Sequence, residues 1–304
     1  MKISGFTFIR NATKYYYPIK QAIQSILPIV DEFVVAMGES DLDDFTEAEI
    51  LSIGSDKIRI IHRKWDEDLF RDGHIFSHET NAALLECKGD WCFYIQADEV
   101  FHEDGLQIVK AACQNYLDDK RVEGFLFQYR HFWGDYHHVL DFHGWYNKEV
   151  RIIRNKIGLE SFGDAQSFRK TTGEKPVVVE LPVKMFHYGW VRPPELMRST
   201  KKEKETQYIG REQALQRFET EPEIYSYGPL GRIPVFKGSH PAVMKDWMAK
   251  IHWKSNLDYS RTFYDPKRDL KKHERTRYRL LTRVEKMFFG GKRIFGYKSW
   301  ELIG

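Results

Sequence analysis

The sequence predicts an α/β fold: a mostly parallel sheet flanked by helices, with a smaller second sheet and a helical C-terminal extension. Three observations predict it. Over the first third, apolar runs of strand length alternate with segments of helical period, the order that builds parallel sheets covered on both faces. After Glu123 the texture changes to aromatic strand-like runs without regular helices between them. The 304 residues are 42% hydrophobic and 30% charged, enough to bury a sizeable core in one large domain or a domain with an elaboration.

Residues 3–9 read as the first strand. Ile19, Ile23, Ile26 and Leu27, continued by Val30, recur at helical spacing over residues 17–29. Residues 33–37 form the second strand. Residues 46–53 form a short helix with Thr46 as its N-cap and Gly54 as its stop. A third strand at 58–62, a helix at 77–86 and a fourth strand at 91–95 follow. Leu106, Val109, Cys113 and Leu117 share one side of a helix at 103–117. Residues 124–133 and 145–153 are aromatic strands joined by a polar, His-rich segment, and 177–185 is a further strand. Helices are expected at 201–218, 246–253 and 269–289, with a Gly/Pro-punctuated loop at 228–241. The expected division is 1–222, in halves of 1–122 and 123–222, followed by a basic extension at 223–304.

No apolar run is long enough to span a bilayer, and the N-terminus lacks a signal-peptide pattern. Cys87, Cys92 and Cys113 are too few and too irregular for a disulfide framework or a zinc site, so a reducing cytoplasm is expected. Net charge is +3 but uneven: residues 267–304 hold twelve Lys or Arg against four Asp or Glu, a net of +8 that leaves −5 on the rest. A basic amphipathic helix there would suit peripheral contact with the inner face of a membrane. No aromatic-basic RNA motif or recognition helix accompanies the charge, so nucleic acid is not an expected partner. No Gly-rich phosphate loop with a nearby Lys follows the first strand, which lowers a nucleotidyltransferase reading.

The most informative segment is 89–100. Its apolar, aromatic strand runs straight into Asp98 and Glu99. Ligands of open α/β sheets bind outside the carboxyl ends of the strands. Carboxylates there suit Mg²⁺ or Mn²⁺ held against substrate phosphates, the competing reading being an acidic turn that caps the next helix.

The order of these signals resembles family 2 glycosyltransferases of GT-A fold, in particular the bacterial group that builds lipopolysaccharide core, O-antigen or capsule sugars. The residues that carry it are 3–11, 30–35, Asn81 with the three residues after it, 89–91 and Gln96-Ala97-Asp98-Glu99. The resemblance covers residues 1–130 well and 145–200 more loosely. It implies an inverting transfer of a sugar from a nucleotide-sugar, a UDP-sugar first, to a glycan or lipid-linked glycan acceptor. It places Arg10, Asn11, Glu39, Asp41, Asn81, Gln96 and Ala97 at the nucleotide, with Met37 where the family usually has an acid and either Glu39 or Asp41 in its stead. Asn11 also fits a turn or cap. It assigns Asp98, Glu99 and His187, of the His-Tyr-Gly-Trp segment 187–190, to the metal, with Gln96 replacing the first acid of the Asp-x-Asp motif. Asp164 is the implied general base, with Asp135, Asp141 and Glu149 as rivals. His131, His137, His138 and His143, with Trp133, Tyr136, Trp145 and Tyr146, form an expected acceptor-side wall or, alternatively, packing. The departures at Met37 and Gln96 motivate the alternative of a nucleotide- or carbohydrate-binding protein without catalysis.

Overall fold

The computed structural model describes residues 1–262 and 269–303, so Lys267 and Arg268 of the basic tail lie outside the described residues. Its central strand, β1 (Ile3–Ile9), lies between two parallel neighbours, β2 (Glu32–Gly38) and β4 (Trp91–Tyr94). β3 (Ile58–Arg63) extends the parallel set beyond β2. β1, β2 and β4 are buried on both faces because the crossover helices α1 (Ile19–Ile26), α2 (Thr46–Leu51) and α3 (His74–Leu85) return the chain over the sheet, while the edge strand β3 is only half-buried. Beyond β4 the pairing becomes antiparallel. β8 (Lys148–Arg154) sits between β4 and β6 (Gly124–Trp133). β11 (Val177–Trp190) then runs parallel to β6, with β12 (Glu301–Leu302) at its far edge. β5 (Glu99–Phe101) and β7 (Val139–Leu140) add short antiparallel pairings to β11 and β6. β9 (Leu159–Phe162) and β10 (Ser167–Lys170) form a separate hairpin. The expected α/β architecture, with its large mostly parallel sheet and small second sheet, is present.

Several element expectations are corrected. Pro18 holds the first helix to a start at Ile19. Thr46 is not a cap: its hydroxyl accepts from the Ala12 N–H at 2.7 Å, while Asp44 accepts the Thr46 N–H at 3.0 Å. The helix after Phe101 begins at Leu106, as α4 (Leu106–Asn115). The single helix expected at 201–218 is two, α5 (Pro194–Ile209) and α6 (Arg211–Glu219), because Gly210 adopts φ 82° between them. α7 (Lys245–Ala249) is a short turn of helix, and α8 (Thr276–Phe288) starts later than expected. No described helix is long and apolar enough to cross a membrane.

One buried cluster fills the space between the parallel strands, α1 and α4. A second joins Trp133 of β6 and Tyr188 of β11 to Tyr227, Leu230, Trp247 and Trp253, so residues on both sides of position 222 share a core.

Candidate active site

The carboxyl ends of β1 and β4 open into one cleft, the position at which open α/β sheets bind ligands. Phe8, Arg10, Tyr17, Trp65, Phe76, Gln96, Ala97, Asp98 and Asp164 line it, and Thr200, Glu203, Lys204 and Gln207 of α5 close one side. The cleft is half open to solvent.

β5 brings the acid turn to the late histidine. Glu99, Val100 and Phe101 pair antiparallel with His187, Phe186 and Met185, and the Tyr188 N–H donates to the Asp98 carbonyl at 2.7 Å. Asp98 Oδ2 thereby stands 3.5 Å from His187 Nε2, with side chains 18% and 10% exposed. Gly189 keeps that place clear. A Cβ there would collide with Asp98 Oδ2 and come within 2.8 Å of His187 Nε2.

The proton positions follow from the partners. His131, aligned with His187 across β6 and β11, has Nε2 2.7 Å from the Tyr146 carbonyl and Nδ1 3.2 Å from His187 Nδ1. A carbonyl only accepts, so His131 carries its proton on Nε2. Burial, followed by the neighbouring His187, holds the His131 imidazole well below its ordinary range, so it is neutral and its Nδ1 accepts. His187 must therefore donate from Nδ1. In its neutral form it turns the bare lone pair of Nε2 toward Asp98. Burial pushes the Asp98 carboxyl up, but the charge and Nε2–H of His187 in its protonated form, with Arg192 and Lys204, outweigh it and hold the acid well below the usual range. When that Nε2 proton is absent, the imidazole nitrogen and the carboxylate oxygen converge as a two-donor set for a hard or borderline cation, which would take the proton's place. Among the described residues no group of three or more such ligands occurs, so substrate and water would supply the remaining positions.

Glu99, expected as a second metal acid, faces elsewhere. Arg151 Nε and Nη2 donate to its two oxygens at 2.9 and 2.8 Å, and Tyr129 Oη donates at 2.7 Å, with both charged side chains fully buried. It is a structural ion pair behind the turn. Asn11, at φ 55°, is also corrected: it is 1% exposed and its Oδ1 accepts from the Asp41 N–H at 2.8 Å, so it shapes the loop and does not line the cleft. Asp41 binds Lys14 at 2.8 Å and stands 3.9 Å from Arg10, and the Lys14 hydrogen bond holds its carboxyl below the ordinary value. Glu39 and Asp41 line a neighbouring depression beyond β2. Asn81 exchanges two hydrogen bonds with the Ser161 backbone, at 2.7 and 3.0 Å, and so pins β9 instead of reaching the cleft.

Arg10, Gln96, Ala97, Asp98 and Asp164 do meet in one place. The Gln96 amide donates to Tyr94 Oη and to the Ala165 carbonyl, linking the tip of β4 to the turn that carries Asp164. Tyr208 of α5 donates to Asp164 Oδ2 at 2.9 Å. None of the rival acids lines the cleft. Asp135 caps and pairs with His138, Asp141 pairs with Lys286 and Arg293, and Glu149 is buried in the sheet. The expected His-rich wall is dispersed: His131 backs His187, His138 serves Asp135, and His143 binds Glu285. Trp133 and Tyr136 are core residues.

Sequence reasoning missed Trp65, which overlies Arg10 at 5.5 Å and rests where Gly38 has no side chain. The indole Nε1 and Arg10 Nε are buried without a hydrogen-bond partner among the described residues. It also missed Glu203 and Lys204; the charged stretch of α5 was their only signal.

No protein-family model matches the chain, and no curated protein does. Among solved structures, TarS of S. aureus aligns over 72% of this chain and 43% of its own, at 13% identity and TM-score 0.41. Glucosyl-3-phosphoglycerate synthase from Mycobacterium tuberculosis, crystallised with Mn²⁺, UDP and phosphoglyceric acid, aligns over 43% of each chain, at 22% identity and TM-score 0.30. This chain thus spans less than half the length of either. Likenesses this distant carry no weight for function, which rests on the chemistry of the cleft.

Proposed function

We propose that the chain is a nucleotide-sugar-dependent, inverting glycosyltransferase that uses Mn²⁺ or Mg²⁺. The observation that carries this reading is the approach of Asp98 Oδ2 and His187 Nε2 at the carboxyl end of the sheet, with Gly189 leaving the space beside them empty. The family resemblance of residues 1–130 supports it independently. An imidazole in the set favours Mn²⁺.

A cation held there would stabilise the charge that develops on a departing nucleoside diphosphate. Lys204 and Arg10 add positive potential for the same phosphates, and Trp65 with Phe8 offers an apolar wall for a base. Asp164 accepts the proton of an acceptor hydroxyl as that oxygen attacks the anomeric carbon. The Tyr208 hydroxyl fixes the orientation of Asp164. Gln96 cannot ligate as an acid, and this favours the second reading, a binding protein without turnover. The acceptor in the leading reading is a glycan or lipid-linked glycan, handled in the cytoplasm.

The test is a thermal-shift screen with UDP-, GDP-, CMP- and dTDP-sugars, with and without Mn²⁺, on wild type, Asp98→Asn and His187→Ala. Ligand that binds only the native state raises its melting temperature. Expected is a Mn²⁺-dependent rise with one sugar nucleotide, lost in both variants. A rise that survives in Asp98→Asn, or none with any donor, overturns the reading. Donor hydrolysis and transfer assays separate the enzyme from the inert binder.

A further inference from the structure

α8 is built with its polar side inward. Thr282 accepts the His143 N–H at 2.8 Å. The Glu285 carboxylate, fully buried, takes His143 Nδ1 at 2.7 Å, Arg293 Nη1 at 2.8 Å and the Ile294 N–H at 2.9 Å. The outward side mixes apolar residues with cations: Leu280, Met287 and Phe288 are 60, 72 and 71% exposed, beside exposed Arg277, Arg283 and Lys286. Leu280, Arg283 and Met287 follow one line along the helix. After Gly290 and Gly291 turn the chain at φ 56° and 80°, Phe295 stands 93% exposed. Single exposed apolar residues are ordinary, but a cluster on the outside of a helix whose inside is polar is not.

Charge names the partner. Residues 275–298 hold eight Lys or Arg and one acid, Glu285, which is sealed in its ion pairs. Arg283 and Lys292 have no carboxylate partner among the described residues. We propose that this face docks on an anionic phospholipid bilayer, with Met287, Phe288 and Phe295 entering the interfacial layer and the flanking cations meeting lipid phosphates. A second copy would bring like charges face to face. The surface is independent of the transfer reading, since it involves none of the cleft residues.

Co-sedimentation of the full chain with phosphatidylcholine vesicles, with and without phosphatidylglycerol, tests it without any sugar nucleotide. Binding is expected only to the anionic vesicles and is weakened by salt. Met287→Ser/Phe288→Ser and, separately, Arg283→Glu/Lys292→Glu should each weaken it by on the order of tenfold, with little change in melting temperature because these side chains face water. Absence of wild-type binding to anionic vesicles overturns the proposal, as does unchanged binding by both variants. RNA binding, or a dimer in sedimentation velocity, that these substitutions abolish while vesicles go unbound would replace the membrane with that partner.

Discussion

Gly189 decides whether Asp98 and His187 have room for a shared ligand. Its φ lies outside the left-handed region, so alanine fits the backbone, but the added methyl fills the space between the two donors. Gly189→Ala should therefore cut Mn²⁺ affinity by on the order of tenfold to a hundredfold, as loss of a metal's supporting geometry does, and lower stability by about 1–3 kcal/mol because Asp98 and the buried His187 ring must shift. Isothermal titration with Mn²⁺ alongside a thermal melt reads both. Glu99 invites the opposite expectation. Replacing it with Gln leaves the Arg151 guanidinium buried without a counter-charge, which costs about 3–5 kcal/mol. A drop in melting temperature of roughly ten degrees is expected for a domain of this size. If Glu99→Gln instead melts like wild type and fails only to bind Mn²⁺, the carboxylate is a ligand after all.

At the scale of elements, the hairpin of β9 and β10 carries Asp164, and Asn81 of α3 clamps its first strand through two hydrogen bonds to Ser161. Asn81→Ala should lower stability by about 1–3 kcal/mol and loosen that turn, lowering the rate of transfer while Mn²⁺ affinity holds. Parallel measurement of turnover and metal titration distinguishes this from a direct nucleotide contact, which would raise the Michaelis constant for the donor. This division explains what was legible in the sequence. β1, β2 and β4 announced themselves because a strand covered on both faces must be a continuous apolar run, and the half-buried edge strand β3 through its isoleucines. The acid turn was legible because it follows such a run directly. β5 was not: three residues have no period, and its first residue, Glu99, was read together with Asp98 as part of the acid turn. The meeting of His131 with His187 depends on a register between strands 56 residues apart, which no local pattern encodes. Asn11 and Asn81 were misread because an amide that shapes a loop and one that holds a ligand look alike in sequence.

The whole molecule carries a buried acid whose ionisation opposes folding. Glu149 is 4% exposed, its Oε2 has no hydrogen-bond partner among the described residues, and Gln166 donates to Oε1 at 2.5 Å. Burial pushes its carboxyl up to about 7; Arg151 and Gln166 act against this, and Glu99 adds to it. In the unfolded chain the group ionises near 4.5, so between pH 4.5 and 7 the native state holds the extra proton. Stability contributed by this site is then present at acid pH and falls as pH rises, with the full penalty, on the order of 3 kcal/mol, reached above pH 7. His131 works in the other direction. Its folded-state value lies below the unfolded one, so its share of stability is present above about 6.5 and is lost as pH falls through that range. A melting curve of the wild type alone would mix the two. Glu149→Gln keeps the shape and the Gln166 contact but removes the titration, so the difference between the two proteins isolates one group. Chemical denaturation at pH 5 and pH 8 should find them similar in the acid and the variant more stable in the alkaline buffer. A constant difference at both values would mean that Glu149 ionises in the folded protein as it does in water.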